Sequence, residues 1–271
     1  MARIVRTAPR LTRPVWAGPA LSLRYGKPAG EPHVGESWEV WHENRSADGR
    51  TLGEQADFPV LIKLLSTRDV LSVQVHPDDA TARRRGATSG KAEAWVVVEA
   101  EPGARVALGL SAPVGREELR ELALSGGLEA HLRWFDVGAG DVIDVPPGTI
   151  HAIGGGVTMY EIQQPTDITW RLYDWGRGRE LHLEDALDVA ITVPASAPRR
   201  ASGRLISHPL FVVDELVPGP STAAGWRAVT CVAGELLVDG ERLSAGDTVM
   251  VGPGAVVFRG DGRGLVAGVG P

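Results

Sequence analysis

The chain has 271 residues, 43% of them hydrophobic and 23% charged, with a formal net charge of −6. That length allows one large or two smaller domains with real cores, and the mild acidity offers no attraction to nucleic acid or an anionic membrane surface. Cys231 is the one cysteine, which excludes an intramolecular disulfide and a cysteine-based zinc site, and no apolar run approaches the roughly 20 residues that cross a bilayer.

With 34 Gly and 19 Pro the chain is turn-rich, which suits many short strands. Residues 1–19 lack the apolar stretch of a signal peptide, so a soluble, cytoplasmic protein is expected. In Gly35-Glu-Ser-Trp-Glu-Val-Trp41, Glu36, Trp38 and Val40 alternate with Ser37, Glu39 and Trp41, a strand with a tryptophan on each face. A short helix is expected over Leu52 to Ala56. Residues 59–76 read as two strands joined by a turn at Ser66 to Asp69. In the second, Leu71, Val73 and Val75 form an apolar face, and Ser72, Gln74 and His76 form a polar row too hydrophilic for a dry interior. Residues 80–90, with three consecutive arginines, read as a mobile, solvent-facing loop. Lys91, Glu93 and Trp95 share one face of the next strand.

From Arg116 to Arg133 the apolar spacing turns helical, and Gly126-Gly127 splits the run into two helices. Gly140-Asp-Val-Ile-Asp-Val-Pro-Pro-Gly-Thr-Ile-His151 then gives a strand, a Pro-Gly corner read as a hairpin, and an imidazole on the returning strand. Its spacing, G-x5-P-x-G-x2-H, resembles the second conserved motif of the cupin superfamily, small β-barrels that hold one metal ion in their mouth. Residues 178–191 read as a helix and 194–202 as a linker.

The tail repeats the pattern. Gly246-Asp-Thr-Val-Met-Val-Gly-Pro-Gly254 overlays the earlier stretch, Gly246 on Gly140 and Gly254 on Gly148, with Val257 in the histidine's place. The expected architecture is mainly β, two cupin-type jelly-roll barrels with a small helical insert around 116–133. Residues 1–200 would form the catalytic domain, and 201–271 a smaller domain without metal ligands.

Gln74, His76, Glu93 and His151 together offer two imidazoles, a carboxylate and an amide oxygen, a donor set for zinc that other divalent metals also accept. The segments Leu71-Ser-Val-Gln-Val-His-Pro-Asp-Asp79, Gly90-Lys-Ala-Glu-Ala-Trp95, Pro147-Gly-Thr-Ile-His-Ala-Ile-Gly154, Glu161-Ile-Gln-Gln-Pro-Thr-Asp167 and Arg171-Leu-Tyr-Asp-Trp-Gly-Arg177 resemble class I mannose-6-phosphate isomerases in their short bacterial form. The likeness runs in order from about residue 14 to 191, and is only loose beyond it. Where the family often has Glu-Met-Trp-Tyr and Ser-Asp-x-x-Tyr-Arg, this chain has Glu93-Ala-Trp95-Val and Thr166-Asp-Ile-Thr-Trp-Arg171.

The resemblance implies interconversion of mannose 6-phosphate and fructose 6-phosphate, with one zinc or other divalent ion per chain on Gln74, His76, Glu93 and His151. It also places Lys91, Glu161, Asp167 and Arg171 near the substrate, and Ser72 close to its phosphate end. Such a reaction moves a proton between C1 and C2 through a cis-enediol. Glu161, Lys91 and a metal-activated water all remain open as the base. Arg171 suits the developing oxyanion or the phosphate, and Asp167 is expected to orient Arg171. The competing readings are a sugar-phosphate-binding cupin without turnover and a cupin oxygenase, which usually carries His-x-His where this chain has Gln74-x-His76. The sequence gives no oligomeric state.

Overall fold

Four antiparallel sheets of seven, six, five and four strands make up most of the computed structural model, which describes residues 2–270. The seven-stranded sheet runs, in spatial order, Arg199–Arg200, Asp141–Val145, Glu93–Ala100, Val157–Gln163, Leu61–Ser66, Glu36–Val40 and Arg10–Thr12. The five-stranded sheet runs Trp170–Tyr173, Val73–Val75, His151–Ile153, Arg105–Leu110 and Leu132–Asp136. Leu65, Trp95, Val97 and Met159 from the first pack against Val106, Leu108 and Ile153 from the second, so the two form a sandwich. The mainly β expectation holds.

Alternation along each strand sorts the remaining layers. Ile62, Leu64, Val96 and Ile162 point from the other face of the seven-stranded sheet onto Phe211, Val213, Ala228 and Met250 of the six-stranded sheet. That sheet in turn packs Val229, Cys231 and Val249 against Leu236, Val238 and Phe258 of the four-stranded one. On the opposite flank, Val73, Val75, Ala152 and Leu172 meet Leu119, Ala123 and Leu187 of the helices Arg116–Ser125 and Leu183–Val189. The seven-stranded sheet is therefore covered on both faces, and its strands read as near-continuous apolar runs for that reason.

The N-terminal strand Ile4–Val5 pairs with Thr248–Val251 in the six-stranded sheet, although the rest of that sheet comes from beyond residue 203. Lys27 bridges the same boundary. Its Nζ lies 2.6 Å from Glu39 and donates to the Gly246 carbonyl at 2.8 Å, all three groups buried or nearly so. A buried ion pair holds only where further hydrogen bonds satisfy it, and Ser37 donates the second one to Glu39.

Several local expectations change. Leu52 to Ala56 forms turns rather than a helix. The expected loop after Asp78 begins with a helix, Asp79–Arg84, because the Asp78 carboxylate accepts from the Thr81 amide and caps it. The split helical insert is present as Arg116–Ser125 followed by a 3-10 turn, Gly127–His131, with Gly126 left-handed at φ 82° between them. The expected linker at 194–202 contains the edge strand Arg199–Arg200, paired with Val142 and Asp141. Trp38 and Trp41, expected on opposite faces, touch edge-on at 5.3 Å, because a register shift after Trp38 turns the chain.

The Pro147-Gly148 corner is also not a hairpin. Asp141–Val145 belongs to the seven-stranded sheet and His151–Ile153 to the five-stranded one, so the corner carries the chain across the sandwich. Gly148 sits at φ 85°, where a Cβ would lie 2.8 Å from the Val189 carbonyl oxygen, and its amide donates to the His76 carbonyl. Only glycine fits there.

Candidate metal centre and cleft

The polar row Ser72, Gln74, His76 faces the inside of the sandwich, with Ser72 and His76 almost fully buried. His151 pairs with Gln74 across the strands, and Arg171 pairs with Gln74 from the other side, so all three residues point the same way. Glu93 comes from the facing sheet. The ligand atoms of His76, Glu93 and His151 lie within 4.8 Å of one another. His151 Nε2 is 3.4 Å and His76 Nε2 3.6 Å from the Glu93 carboxylate, and the two imidazoles stand 4.8 Å apart. Gln74 is half-buried beside them, with Ser72 Oγ 3.4 Å from its amide oxygen. The four ligands expected from the sequence thus come together from three strands.

Backbone contacts lock this geometry. His151 Nδ1 lies 2.9 Å from the Thr149 carbonyl, which fixes the proton on Nδ1 and leaves the Nε2 lone pair aimed at Glu93. The Asp79 carboxylate accepts from the Gly90 amide and from Gln164, and Gln164 in turn accepts from the Ala92 amide. This clamp sets Lys91 and Glu93 on their strand. A Cβ on Gly90 would meet the Asp78 carbonyl carbon at 2.5 Å, so glycine is needed for the approach. Trp95 lies under His151, ring centroids 5.6 Å apart.

Burial lowers the pKa of His151 to about 4 and that of His76 well below its usual value, with Lys91 adding to both shifts. Both rings are therefore neutral at pH 7, the form that coordinates metal. His151 Nε2 is buried without a hydrogen-bond partner, 3.4 Å from Glu93 Oε1. A buried imidazole nitrogen left open beside a carboxylate fits a divalent ion, which would satisfy it.

Next to the quartet lies a cluster of cations and carboxylates. Lys91 Nζ is 2.8 Å from Glu93 and 3.7 Å from Glu161. Lys63 Nζ is 3.7 Å from Glu161, 3.5 Å from Asp167 and 4.0 Å from Glu36. Burial would lower the pKa of Lys63, but Glu36, Glu161 and Asp167 outweigh it and hold the ammonium charged. Glu161 is raised by its burial, which the pull of Lys63 does not undo. Glu36 meets the largest opposition from its burial, but Lys63 and hydrogen bonds from Trp38 and Thr12 together overcome it and lower its pKa.

These groups line one side of a cleft of about 340 Å³, with Ser72, Gln74, Arg171 and Arg179 on the other. Lys63, Glu36 and Arg179 were missed from the sequence. A lysine inside Leu61-Ile-Lys-Leu-Leu65 is the one signal that pointed to Lys63. Asp167 faces Lys63 and makes no ion pair with Arg171, contrary to expectation, since Arg171 Nη1 donates instead to the Glu180 carbonyl at 2.5 Å.

The second copy of the Pro-Gly stretch repeats the crossing, from Thr248–Val251 in the six-stranded sheet to Gly254–Gly260 in the four-stranded one. Counting from the glycines puts Val257 opposite His151, yet Val257 points outward and Val256 and Phe258 point in. Among the described residues, the one group of His, Cys, Asp and Glu side chains close enough to hold a metal is His76, Glu93 and His151.

Residues 31–102 match the family described as phosphomannose isomerase type I, catalytic domain. A mannose-6-phosphate isomerase of Streptococcus mutans is 34% identical over 241 residues, 75% of this chain and 75% of that protein. The Bacillus subtilis mannose-6-phosphate isomerase ManA is 39% identical over 169 residues, 60% of this chain and 52% of that protein. The solved mannose 6-phosphate isomerase from Bacillus subtilis superposes with a TM-score of 0.86 at 25% identity, covering 98% of this chain and 99% of that one. A point variant of phosphomannose isomerase from Salmonella typhimurium superposes at 0.77 with 15% identity, covering 99% and 100%, a likeness of fold alone.

Proposed function

The chain belongs to the type I phosphomannose isomerase family, and on that premise we propose that it interconverts mannose 6-phosphate and fructose 6-phosphate by a metal-dependent proton transfer in the cleft. The observation that carries this is the convergence of two neutral imidazoles and a carboxylate beside a buried carboxylate flanked by two lysines. Gln74, His76, Glu93 and His151 would hold the ion, zinc being one of the divalent metals such a donor set accepts. When bound, it polarises the carbonyl and hydroxyl oxygens on C1 and C2.

The remaining work falls to the chain's own side chains. Glu161 takes the proton from C2 of the aldose and returns it to C1, passing through a cis-enediol. Its carboxylate is buried, with Oε1 making no hydrogen bond and lying 3.7 Å from both lysines, and its raised pKa makes it a better base near neutrality than an ordinary glutamate. Lys91, 2.8 Å from Glu93, is placed to donate to a substrate oxygen as charge develops there. Lys63, charged and fixed by three carboxylates, keeps Glu161 from drifting, and Asp167 steadies Lys63 at the cleft mouth. Arg171, beside Gln74, faces the substrate with a permanent charge.

The proposal keeps residues 1–200 as the catalytic cupin-type barrel and 201–271 as the smaller one, the latter completed by Ile4–Val5. No helix among the described residues is long and apolar enough to cross a membrane. We place the enzyme in the cytoplasm because its substrates, as charged sugar phosphates, are retained inside the cell. The test is a coupled assay for fructose 6-phosphate formed from mannose 6-phosphate, with and without chelator. Turnover that chelator abolishes supports the isomerase. Binding without turnover in metal-replete protein indicates a sugar-phosphate-binding cupin, and oxygen consumption an oxygenase.

A further inference from the structure

Val229 and Cys231 fill the interior of the second sandwich from one face of the strand Arg227–Ala233. Alternation places Arg227 on that same face, at the end where the strand begins. The residue is 8% exposed. Among the described residues no carboxylate pairs with it, and burial alone shifts its pKa, downwards. A guanidinium keeps its proton at any ordinary pH, so a buried charge is left without a counter-ion. Its donors are also underused. Nη1 donates to Ser221 Oγ at 2.8 Å, Nη2 reaches the Gly254 carbonyl only at 3.5 Å, and Nε is buried without a partner. Such a group costs stability that a hydrocarbon of similar shape would not.

Arg227 lines a cavity of about 460 Å³ together with Ser221, Phe258 and Val266. Cross-strand neighbours explain the space. Gly268 lies opposite Arg227 and Gly219 opposite Phe258, so in both pairs the partner has no side chain to fill the gap. Ser221 lies opposite the buried Val256 and faces inward with it. Its oxygen accepts from Arg227, which leaves its own proton for a second acceptor. The Phe258 ring centroid is 5.9 Å from the guanidinium carbon. Two carboxylates border the cavity and both are engaged, Asp214 with Arg204 and Glu215 with the Gly203 amide.

We propose that the second sandwich holds a binding site for a small organic monocarboxylate. Arg227 and Ser221 take the carboxylate, and Phe258 and Val266 pack against its apolar body. None of these four residues lines the isomerase cleft, so the site stands apart from it. The volume falls in the range of roughly 300–1,000 Å³ common for small-molecule sites, where apolar walls surround a few placed polar groups. A planar carboxylate accepts two parallel N–H bonds from a guanidinium and balances its single charge. A phosphate dianion would leave one negative charge unbalanced near Asp214.

Calorimetry and thermal unfolding of the full chain with hexanoate test the proposal, with hexanamide as the neutral control and inorganic phosphate as the dianion. Wild type should bind hexanoate with a Kd on the order of 1 mM, gain in Tm with it, and ignore hexanamide. Arg227→Met should lower the hexanoate affinity at least about tenfold and abolish the Tm gain, while its unliganded Tm holds or rises. Ser221→Ala changes a surface-edge hydroxyl and should weaken hexanoate by a few-fold, which keeps the test decisive if Arg227→Met fails to fold. Isomerase turnover should stay at the wild-type level in both variants. Equal hexanoate affinity in wild type and variants would overturn the site. Phosphate binding that exceeds that of hexanoate and is lost in Arg227→Met would overturn the monocarboxylate. A lower Tm in Arg227→Met, with no hexanoate effect on wild type, would mark Arg227 as a structural tie and also overturn the proposal.

Discussion

The same turn occurs twice in this chain with opposite outcomes. Gly140–His151 and Gly246–Val257 each carry a strand out of one sheet, across a Pro-Gly corner, and into the facing sheet. Between the first pair of sheets the crossing delivers an imidazole into a polar half-interior. Between the second it delivers Val256 and Phe258 into an apolar one. The fold therefore does not need the polar cluster. Burying two imidazoles, two lysines and two carboxylates costs stability that an apolar core avoids, and only a bound ion and a paired network offset it. The first sandwich shows what chemistry requires, and the second what the fold alone requires.

The contrast can be broken most severely at the metal. His151→Ala should lower kcat/KM by on the order of 10⁴-fold or more, with metal content falling alongside, because charge stabilisation at the reacting oxygens disappears. Steady-state kinetics with elemental analysis of the purified variant checks this. Glu161→Gln is next, with a loss of roughly 10²- to 10⁴-fold in kcat while bound metal stays at the wild-type level. In the second sandwich the expected pattern reverses. Phe258→Ala should cost about 3–5 kcal/mol of stability by denaturant unfolding and leave kcat of the folded protein unchanged.

Acid should also act unequally on the two sandwiches. The His151 pKa is about 4 when folded, below its ordinary value near 6.5, so between these limits the unfolded chain binds the extra proton. Stability from this group is complete above about pH 6.5 and is lost as pH falls towards 4, up to about 3 kcal/mol in metal-free protein. His76 shifts in the same direction. Unfolding of chelated protein at pH 7 and pH 5 measures it, and His151→Ala should flatten the difference. The smallest effect is expected from Val257→His. The side chain points outward, so stability should move by no more than about 0.5 kcal/mol and no second ion should bind.

Much of the site was legible because strand alternation is local. Ser72, Gln74 and His76 fall on one face by counting, as do Lys91, Glu93 and Trp95, and the Pro-Gly corner announces its own sharp turn. What stayed hidden depends on distant partners. Lys63 sits in an apolar strand, and its role appears only once Val157–Gln163 brings Glu161 beside it. Asp167 turns towards Lys63 rather than Arg171. Pairing of Ile4–Val5 with a strand near the other end of the chain leaves no trace in either segment. The helix at Asp79–Arg84 was readable from the Asp78 cap, and the arginine run concealed it. Counting from glycines across the second copy misplaced Val257 by one position, and in a strand one position reverses the face.

As proposed above, one ion on Gln74, His76, Glu93 and His151 would separate the working sandwich from its copy. Metal content and isomerase turnover should be measured together on the same preparation as metal is stripped and restored. Turnover of mannose 6-phosphate should rise in proportion to bound metal and saturate at one ion per chain. Full turnover in metal-free protein, or none at one ion per chain, would contradict it.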